Sequence, residues 1–399
     1  MAMSEPPAQA LLVQQAAQAV RQGRAAAALE LLGRAEALAP DDVSVHLYKS
    51  LAHRASGDFS SALKAAERAL AVDPYNFLAR LSRGWLLERL GRKVQAVSAY
   101  REALAIAPPE DRLPADVAPV VARARAAVEA ENAALKAHLE ARVREVRARH
   151  AGERNLERFE ESLAILAGEA RAYVQQPLLL HYPRLPAVPF FDRELFPWLP
   201  ELEAATPVIV EEVTRLLTAT GLERFAPYID YPPGAPLNQW QELNRSVRWS
   251  TFFLWRDGIR QDEACALCPR TAAILESLPM ARQEHYAPTA MFSVLAPHTT
   301  IPPHTGSINT RAIVHLPLIL PDGCRFRVGN VTREWRMYEA WVFDDTIEHE
   351  AVNESDEQRV ILIFDVWNPY LSEAERELVS AMMAAKAEFH RRQAAGEAP

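Results

Sequence analysis

A 34-residue repeat in the N-terminal part constrains the fold of this chain more than any other feature of its sequence. A fixed period of this length is typical of stacked helical hairpins. Glycine would lie in the turn between two helices, small alanines would let the helices approach closely, and proline would end each unit. An all-α solenoid is therefore predicted over residues 7–108. The columns that recur in register are Gly23, Gly57 and Gly91; Ala28, Ala62 and Ala96; Ala35, Ala69 and Ala103; and Pro40, Pro74 and Pro108.

This pattern resembles the tetratricopeptide repeat, a helix–turn–helix unit of the same length. Solenoids of this kind commonly bind peptides or proteins on their concave face. One expectation is therefore that residues 7–108 engage a peptide or protein substrate. The alternative is a spacer or dimerisation arm without a ligand, because the matched columns are packing positions.

The composition excludes several classes of partner. A chain of 399 residues favours two or three domains, and a hydrophobic fraction of 49% supports packed cores. The net charge of −8 argues against nucleic acid as a partner. No window approaches about 18 apolar residues, and the first residues, MAMSEPPAQA, lack the parts of a signal peptide. No membrane span is expected, and the three cysteines favour a cytoplasmic location over a disulfide framework.

Residues 109–173 have the composition of a helical linker. Pro109 and Pro114 interrupt the solenoid, and an Ala/Glu/Arg-rich helix is predicted from Val117 to His150. After Ala151-Gly152, a second helix is predicted from Leu156 to Tyr173.

From residue 174 onward, proline, aromatic residues and short β-type runs dominate the sequence. An extended wrapping segment is predicted first, then a helix from Glu201 to Thr218, and a last helix from Ser372 to Gln393 with Ser372 as its N-cap. Many short strands predict a jelly-roll or barrel for residues 174–399. The predicted strands are Trp249–Trp255, Ala290–Leu295, Ala312–Leu320, Arg325–Val328, Trp335–Phe343 and Val360–Trp367.

Two histidines and an arginine in this β-rich half suggest a non-haem iron site. His304 and His349 are 45 residues apart, and Arg359 begins an apolar run ten residues after His349. Imidazole suits Fe(II), and oxygenases of this type leave positions open for a cosubstrate and O₂. A buried arginine can bind a carboxylate through two parallel hydrogen bonds, as the tail of 2-oxoglutarate requires. The common facial triad has a carboxylate two residues after the first histidine, but here that residue is Gly306.

Longer motifs resemble the aspartyl/asparaginyl β-hydroxylase family of iron- and 2-oxoglutarate-dependent oxygenases. The resemblance covers about residues 175 to 372 and implies a double-stranded β-helix, or jelly-roll, with flanking helices. The motifs are YPRLPAVPFFDRELFPWLPELE from Tyr182, WSTFFLW from Trp249, CALCPRTAAILESLP from Cys265, PHTGSIN from Pro303, RAIVHLPL from Arg311, WVFDDTIEHEAVNES from Trp341 and RVILIFDVWNP from Arg359.

The resemblance implies that His304 and His349 are the metal ligands, with no catalytic residue separate from the metal site. Gly306 stands where other oxygenases have a carboxylate. The implied cofactor is Fe(II), with 2-oxoglutarate as cosubstrate and O₂ as oxidant.

The 2-oxoglutarate contacts carry over to Ser293, His315 and Arg359. Arg311 is added as a further candidate, because it shares a strand face with His315. One departure is Ile313, where some relatives carry an arginine near the cosubstrate or substrate.

The implied activity is hydroxylation of a C–H bond, in the first place at the β-carbon of Asp or Asn in a peptide or protein. Three alternatives stay open. The enzyme could hydroxylate a small molecule or lipid, or it could be a halogenase, because glycine in the carboxylate position can leave room for chloride. The third is a non-catalytic repeat scaffold that carries a degenerate barrel.

Other polar residues have simpler interpretations. Cys265 and Cys268 have zinc-like spacing, but the third cysteine is Cys324, so a four-cysteine site is impossible. Asp344 and Asp345 precede a turn, where acidic residues usually cap or hydrogen-bond the backbone.

Overall fold

The computed structural model describes residues 7–151 and 156–394. The chain divides into two compact units between Ala170 and Arg171, and each unit is described by itself. The predicted linker, residues 109–173, falls almost wholly within the first unit, and its status as a separate segment stays a prediction. The start of the MAMSEPPAQA segment and Gly152 of the predicted turn lie outside the described residues.

The first unit is built from helical hairpins in the register that the repeat predicts. Gly23, Gly57 and Gly91 have φ angles of 71°, 82° and 76°, and a Cβ at any of them would meet nothing within 4 Å. The left-handed backbone at each turn, not lack of space, therefore selects glycine. The alanine columns are buried between the helices. The helices are α1 Ala8–Arg21, α2 Ala25–Leu38, α3 Val43–Ala55, α4 Phe59–Val72, α5 Phe77–Arg89 and α6 Lys93–Leu104.

Two further helices complete the first unit, α7 Ala118–Arg149 and α8 Leu156–Ala167. The start of α7 packs on the last hairpin, where Val121 and Ala124 join the buried Tyr100 in one apolar cluster. The predicted extension of α8 to Tyr173 is wrong. The helix ends at Ala167 because Gly168 adopts a left-handed φ of 76°, a common helix stop.

The second unit contains two antiparallel sheets. The major sheet has the order β1-β2-β4-β11-β6-β9 with β3 paired to β2, and the minor sheet has the order β5-β10-β7-β8. The predicted fold class, helical repeats followed by an antiparallel β domain with flanking helices, is confirmed. The strands are β1 Ala226–Pro227, β2 Trp249–Arg256, β3 Ile259–Arg260, β4 Ala290–Leu295, β5 Thr299–His304, β6 Arg311–Ile319, β7 Cys324–Val328, β8 Val331–Glu334, β9 Trp341–Phe343, β10 His349–Asn353 and β11 Arg359–Trp367.

Helices flank these sheets. The helix predicted from Glu201 to Thr218 is two helices, because Pro207 at the start of the second lacks the N–H that a continuous helix needs. The last helix is capped as predicted: the Ser372 hydroxyl accepts from the Glu375 amide at 3.3 Å, and the Ser372 amide donates to the Glu375 carboxylate at 2.8 Å. The helices are α9 Leu199–Ala204, α10 Thr206–Thr220, α11 Asp262–Leu267, α12 Pro269–Ser277 and α13 Glu373–Ala394.

Alternation along the central strands β6 and β11 fixes where a site can form. Val360, Leu362 and Phe364 point to one face and join the core that also contains Val213 of α10. The intervening residues of β11 point to the opposite face, towards the minor sheet. Polar side chains on that face therefore lie between the two sheets.

The strand predictions differ from the structure in several places, and the short strands β1, β3 and β8 were not predicted. The run predicted from Trp335 to Phe343 is a strand only as β9, and residues 335–340 lie outside the strands. Strands β5 and β10, which carry the two histidines of the candidate site, were not among the predicted strands.

Candidate metal and carboxylate site

A cavity of about 400 Å³ in the second unit brings the predicted site residues together. Strands of the minor sheet supply the two histidines, and strands of the major sheet supply the other side chains. The predicted residues that line this cavity are Ser293, His304, Arg311, His315, His349 and Arg359.

His304 and His349 are direct cross-strand partners in β5 and β10, and their ring centroids are 4.1 Å apart. The Nδ1 atom of His304 lies 2.8 Å from the Pro302 carbonyl, and that of His349 lies 3.0 Å from the Ile347 carbonyl. A carbonyl oxygen only accepts, so each Nδ1 carries the proton and each neutral ring keeps the lone pair on Nε2. Two rings this close together, each with a free lone pair on Nε2, suit one shared metal ion.

Burial keeps both rings in the form that binds metals. Desolvation lowers the pKa of His304 and lowers the pKa of His349 well below its ordinary value of 6.5. Aromatic rings form the surrounding wall: Trp240 lies 5.1 Å from His304 between centroids, and Phe343 lies 5.4 Å from His349. Such a wall excludes water from a bound ion.

Arg359 is a buried cation with no counter-ion among the residues that the structure describes. It is 1% exposed, its Nε and Nη1 atoms have no hydrogen-bond partner in the described part of the chain, and its guanidinium lies 5.0 Å from the centre of the Trp335 ring. Burial lowers the pKa of Arg359 to about 10, so the group is still charged at neutral pH. An unpaired buried charge is costly, and an anionic ligand would relieve that cost.

Ser293 and His315 lie on the same face of the major sheet as Arg359. Ser293 is paired with Ile361 and His315 with Ile363, which puts both polar side chains beside β11. The Ser293 hydroxyl accepts from Trp249 Nε1 at 3.2 Å, and its own hydrogen is still available to a ligand. His315 Nδ1 is buried, with no partner among the described residues.

Arg311 has a different environment from Arg359. Its guanidinium forms an ion pair with the buried carboxylate of Asp365 and donates to the Tyr286 carbonyl at 3.0 Å. Asp365 also accepts from the Thr289 amide at 3.0 Å. Arg311 thus lines the cavity with its charge already balanced, and a 2-oxoglutarate contact for it stays a prediction.

Asp345 lines the cavity, a position that the sequence interpretation did not predict for it. A Cβ on Gly306 would overlap the Asp345 carboxylate, so this carboxylate fills the space that a side chain at position 306 would need. Burial, followed by the neighbouring charge of Asp344, raises the pKa of Asp345 to about 8. The predicted backbone-capping role holds for Asp344, which accepts from the Thr346 amide at 3.0 Å. Asp345 instead lines the cavity.

Within residues 7–151 and 156–394, no cluster of three or more His, Cys, Asp or Glu side chains is arranged to hold a metal ion. A metal site formed by His304 and His349 stays a prediction. The arrangement can hold one metal ion beside a buried cation suited to a carboxylate. In the same described ranges, no helix is long and apolar enough to cross a membrane.

Comparisons with known proteins place both parts of the chain. The sequence model for aspartyl/asparaginyl β-hydroxylase matches residues 203–369, and that for the tetratricopeptide repeat matches residues 49–111. Tetratricopeptide repeats are units of protein interaction.

Three relatives each match about half of this chain. The chain is 34% identical over 203 residues to the ornithine lipid ester-linked acyl 2-hydroxylase of Rhizobium tropici, with 50% of this chain and 67% of that protein covered. It is 32% identical over 188 residues to human aspartyl/asparaginyl β-hydroxylase, with 46% and 24% covered. It is also 32% identical over 219 residues to human aspartate β-hydroxylase domain-containing protein 2, with 54% and 57% covered.

The match spans only about a quarter of the length of human aspartyl/asparaginyl β-hydroxylase, but two thirds of the Rhizobium tropici protein. The family match contains His304, His349 and Arg359. The chain therefore belongs to the aspartyl/asparaginyl β-hydroxylase family of 2-oxoglutarate oxygenases, with tetratricopeptide repeats ahead of the family domain.

Proposed function

We propose that this protein hydroxylates a substrate C–H bond with Fe(II), 2-oxoglutarate and O₂. The observation that carries the proposal is the unpaired guanidinium of Arg359, which lines the same cavity as the oriented histidine pair. The overall reaction converts the C–H bond, O₂ and 2-oxoglutarate into C–OH, succinate and CO₂. One oxygen atom enters the alcohol and the other enters succinate.

The residues of the cavity divide this task between them. His304 and His349 would hold Fe(II) through Nε2, and their Nδ1 hydrogen bonds to backbone carbonyls fix both rings. When bound, the iron would activate O₂ and supply the oxidising chemistry. Arg359 would bind the distal carboxylate of 2-oxoglutarate, and Ser293 and His315 would add hydrogen bonds beside it.

For the substrate, we propose the β-carbon of an Asp or Asn residue in a peptide or protein. Human aspartyl/asparaginyl β-hydroxylase, to which the chain is 32% identical, supports this class by its name. The tetratricopeptide repeats support it as well, because such repeats bind extended peptides on one face.

A second candidate is hydroxylation of an acyl chain on a lipid. The mouth of the cavity carries exposed apolar surface, since Leu178 is 77% exposed and Tyr228 and Tyr231 are 41% and 40% exposed. Such a rim could receive a hydrocarbon chain. The Rhizobium tropici relative, named as an acyl 2-hydroxylase, supports the same class.

Halogenation has less support. A halide at the metal would need the space beside Gly306, and the Asp345 carboxylate fills that space. We therefore propose transfer of hydroxyl.

Substitution of the histidines tests the proposal. His304→Ala and His349→Ala should each lose Fe(II) binding and succinate formation, because one remaining imidazole holds the ion weakly. Metal analysis, a succinate assay and circular dichroism would measure binding, turnover and folding. The matched control is His298→Ala, an exposed histidine paired with Asp356. Stoichiometric iron in either site variant would contradict the assignment.

A further inference from the structure

Once a ligand matches the charge of Arg359, the lining of the cavity, among the residues that the structure describes, has no surplus positive charge. Among the described residues that line the cavity, the cations besides histidine are Arg311 and Arg359. Arg359 would be matched by 2-oxoglutarate under the proposed function. Arg311 is already matched by Asp365, which is only 4% exposed.

The remaining charged residues of the lining are acidic. Asp257 is exposed, and its nearest ion-pair partner is the neighbouring exposed Arg256 at 3.8 Å. Asp345 is partly buried beside Gly306, and its carboxyl adds no positive charge whether ionised or protonated. A carboxylate brought into this space by a substrate would therefore meet acids and an already neutralised arginine.

The hydrogen-bonding groups suit a neutral amide better than a carboxylate. Arg311 Nε is buried and has no partner among the described residues, so it can donate to a carbonyl oxygen. The oxygens of Asp365 can accept from an amide NH₂ group. A substrate carboxylate offers acceptors only. Its oxygens would face the Asp365 oxygens with no hydrogen between them. Ile313, which lies between Arg311 and His315 on the same strand face, adds an apolar contact.

We propose that the cavity selects an asparaginyl side chain over its aspartyl isostere, with the Arg311–Asp365 ion pair as the determinant. This inference rests on the proposed function and names the substrate within it. Asn and Asp side chains have nearly the same shape, so charge and hydrogen-bond donors decide between them. A preference of about tenfold or more in kcat/KM is expected, the equivalent of about 1.4 kcal/mol.

The test compares two peptide libraries that have identical randomised flanks. One library has a fixed central Asn, and the other has a fixed central Asp. The full chain with Fe(II), 2-oxoglutarate and O₂ should hydroxylate the Asn library at least about tenfold faster, measured as oxygen incorporation by mass spectrometry. Binding of fluorescent versions of both libraries, measured without O₂, should show the same order. Equal rates, or a faster Asp library, would overturn the inference.

Two variants locate the determinant. Asp365→Asn keeps the shape of the pair but frees the charge of Arg311, and it should shift the preference towards Asp. Ile313→Arg adds a cation to the same wall and should shift it in the same direction, even if Asp365→Asn folds poorly. Asp356→Asn removes an exposed carboxylate outside the cavity lining and should leave the ratio unchanged.

The failures of the two proposals can be told apart. If the enzyme releases succinate but hydroxylates an acyl-chain amphiphile and neither library, the asparaginyl inference is overturned and the oxygenase proposal stands. If no succinate forms with any substrate, the proposed function itself has failed. An unchanged Asn-to-Asp ratio in both cavity variants would refute the role of the ion pair.

Discussion

Arg359 is a single residue whose environment is incomplete without a ligand. Its buried guanidinium lies against Trp335, and two of its nitrogens lack partners in the described part of the chain. A structural arginine would instead be paired in the protein, as Arg311 is with Asp365. We therefore expect the stability of the unliganded protein to fall when the paired Arg311 is replaced, but not when Arg359 is replaced.

Arg359→Leu should leave the thermal stability of the metal-free protein unchanged or raise it, because an unpaired buried charge costs several kcal/mol. The same variant should lose the stabilisation that 2-oxoglutarate gives to the wild type, about 2.7 kcal/mol at 100 times Kd. Thermal unfolding with and without metal and 2-oxoglutarate measures both effects. Arg325→Leu, at an exposed pair with Glu354, is the control and should keep the ligand response. A large loss of stability in the unliganded Arg359 variant would instead indicate a structural ion pair.

His315 makes stability depend on pH. Burial, followed by the charge of Arg359, lowers its pKa well below 6.5. The unfolded chain therefore binds more protons than the folded one below pH 6.5, so stability is complete above that pH and falls as the pH decreases. Phe326 and Phe343 lie 5.0 and 4.7 Å from the ring, between centroids, so phenylalanine suits this position.

In the His315→Phe variant, the free energy of unfolding should fall less steeply below pH 6.5 than in the wild type. The difference in slope should be up to about 1.4 kcal/mol per pH unit. Urea unfolding of the metal-free protein at several pH values would measure the slope. An unchanged slope would mean that His315 is protonated in the folded state or stays neutral in both states.

Sequence motifs predicted which site residues gather in one cavity, but not every contact between them. His304, His349 and Arg359 stand in the motifs from which the site was predicted, and all three line one cavity in the structure. The position of Asp345 in the cavity was not predicted, because its carboxylate lies against Gly306, 39 residues earlier in the chain. A pair made by the close approach of two loops has no periodic signal in either segment.

At the level of elements, strands with continuous apolar runs were predictable and the two histidine strands were not. β4 and β11 are buried on both faces, which produces runs such as Val360 to Phe364. β5 contains Pro302 and Pro303, which argue against a strand by propensity. It lies at the edge of the minor sheet, where proline is tolerated because one side needs no hydrogen bonds.

The helical hairpins contain a pair of glycines that separate helix propensity from packing. A Cβ on Gly84 in α5 would overlap the ring of Tyr100 in α6, which is fully buried. A Cβ on Gly33 in α2 would meet nothing within 4 Å. Both glycines are in helices without a left-handed φ, so backbone conformation does not distinguish them.

Gly84→Ala should destabilise the first unit, because overpacking costs about 1–3 kcal/mol and outweighs about 1 kcal/mol of helix propensity. Gly33→Ala should stabilise it by up to about 1 kcal/mol, because only the propensity changes. Denaturant unfolding followed by far-ultraviolet circular dichroism gives both values. Equal effects of the two variants would show that Tyr100 moves aside without cost.

The whole molecule divides between Ala170 and Arg171, and the residues of the candidate site lie in the second unit. The end of the repeat at residue 108 is a poorer place to cut the chain. α7 begins at Ala118, and its Val121 and Ala124 pack on Tyr100, so removing the repeats alone would expose that apolar face. A deletion that ends at Ala170 avoids this exposure, because it removes α7 together with the repeats.

A protein that begins at Arg171 should bind Fe(II) and 2-oxoglutarate like the full chain and should release succinate without a substrate. It should hydroxylate a protein substrate less well, because the repeats are interaction units and hold none of the cavity residues. A short peptide that fits the cavity should be hydroxylated equally by both proteins, which makes it the internal control. The comparison is the ratio of kcat/KM for the protein substrate to that for the peptide. If this ratio is the same with and without the first unit, the repeats serve as a spacer or assembly device and substrate binding lies in the second unit alone.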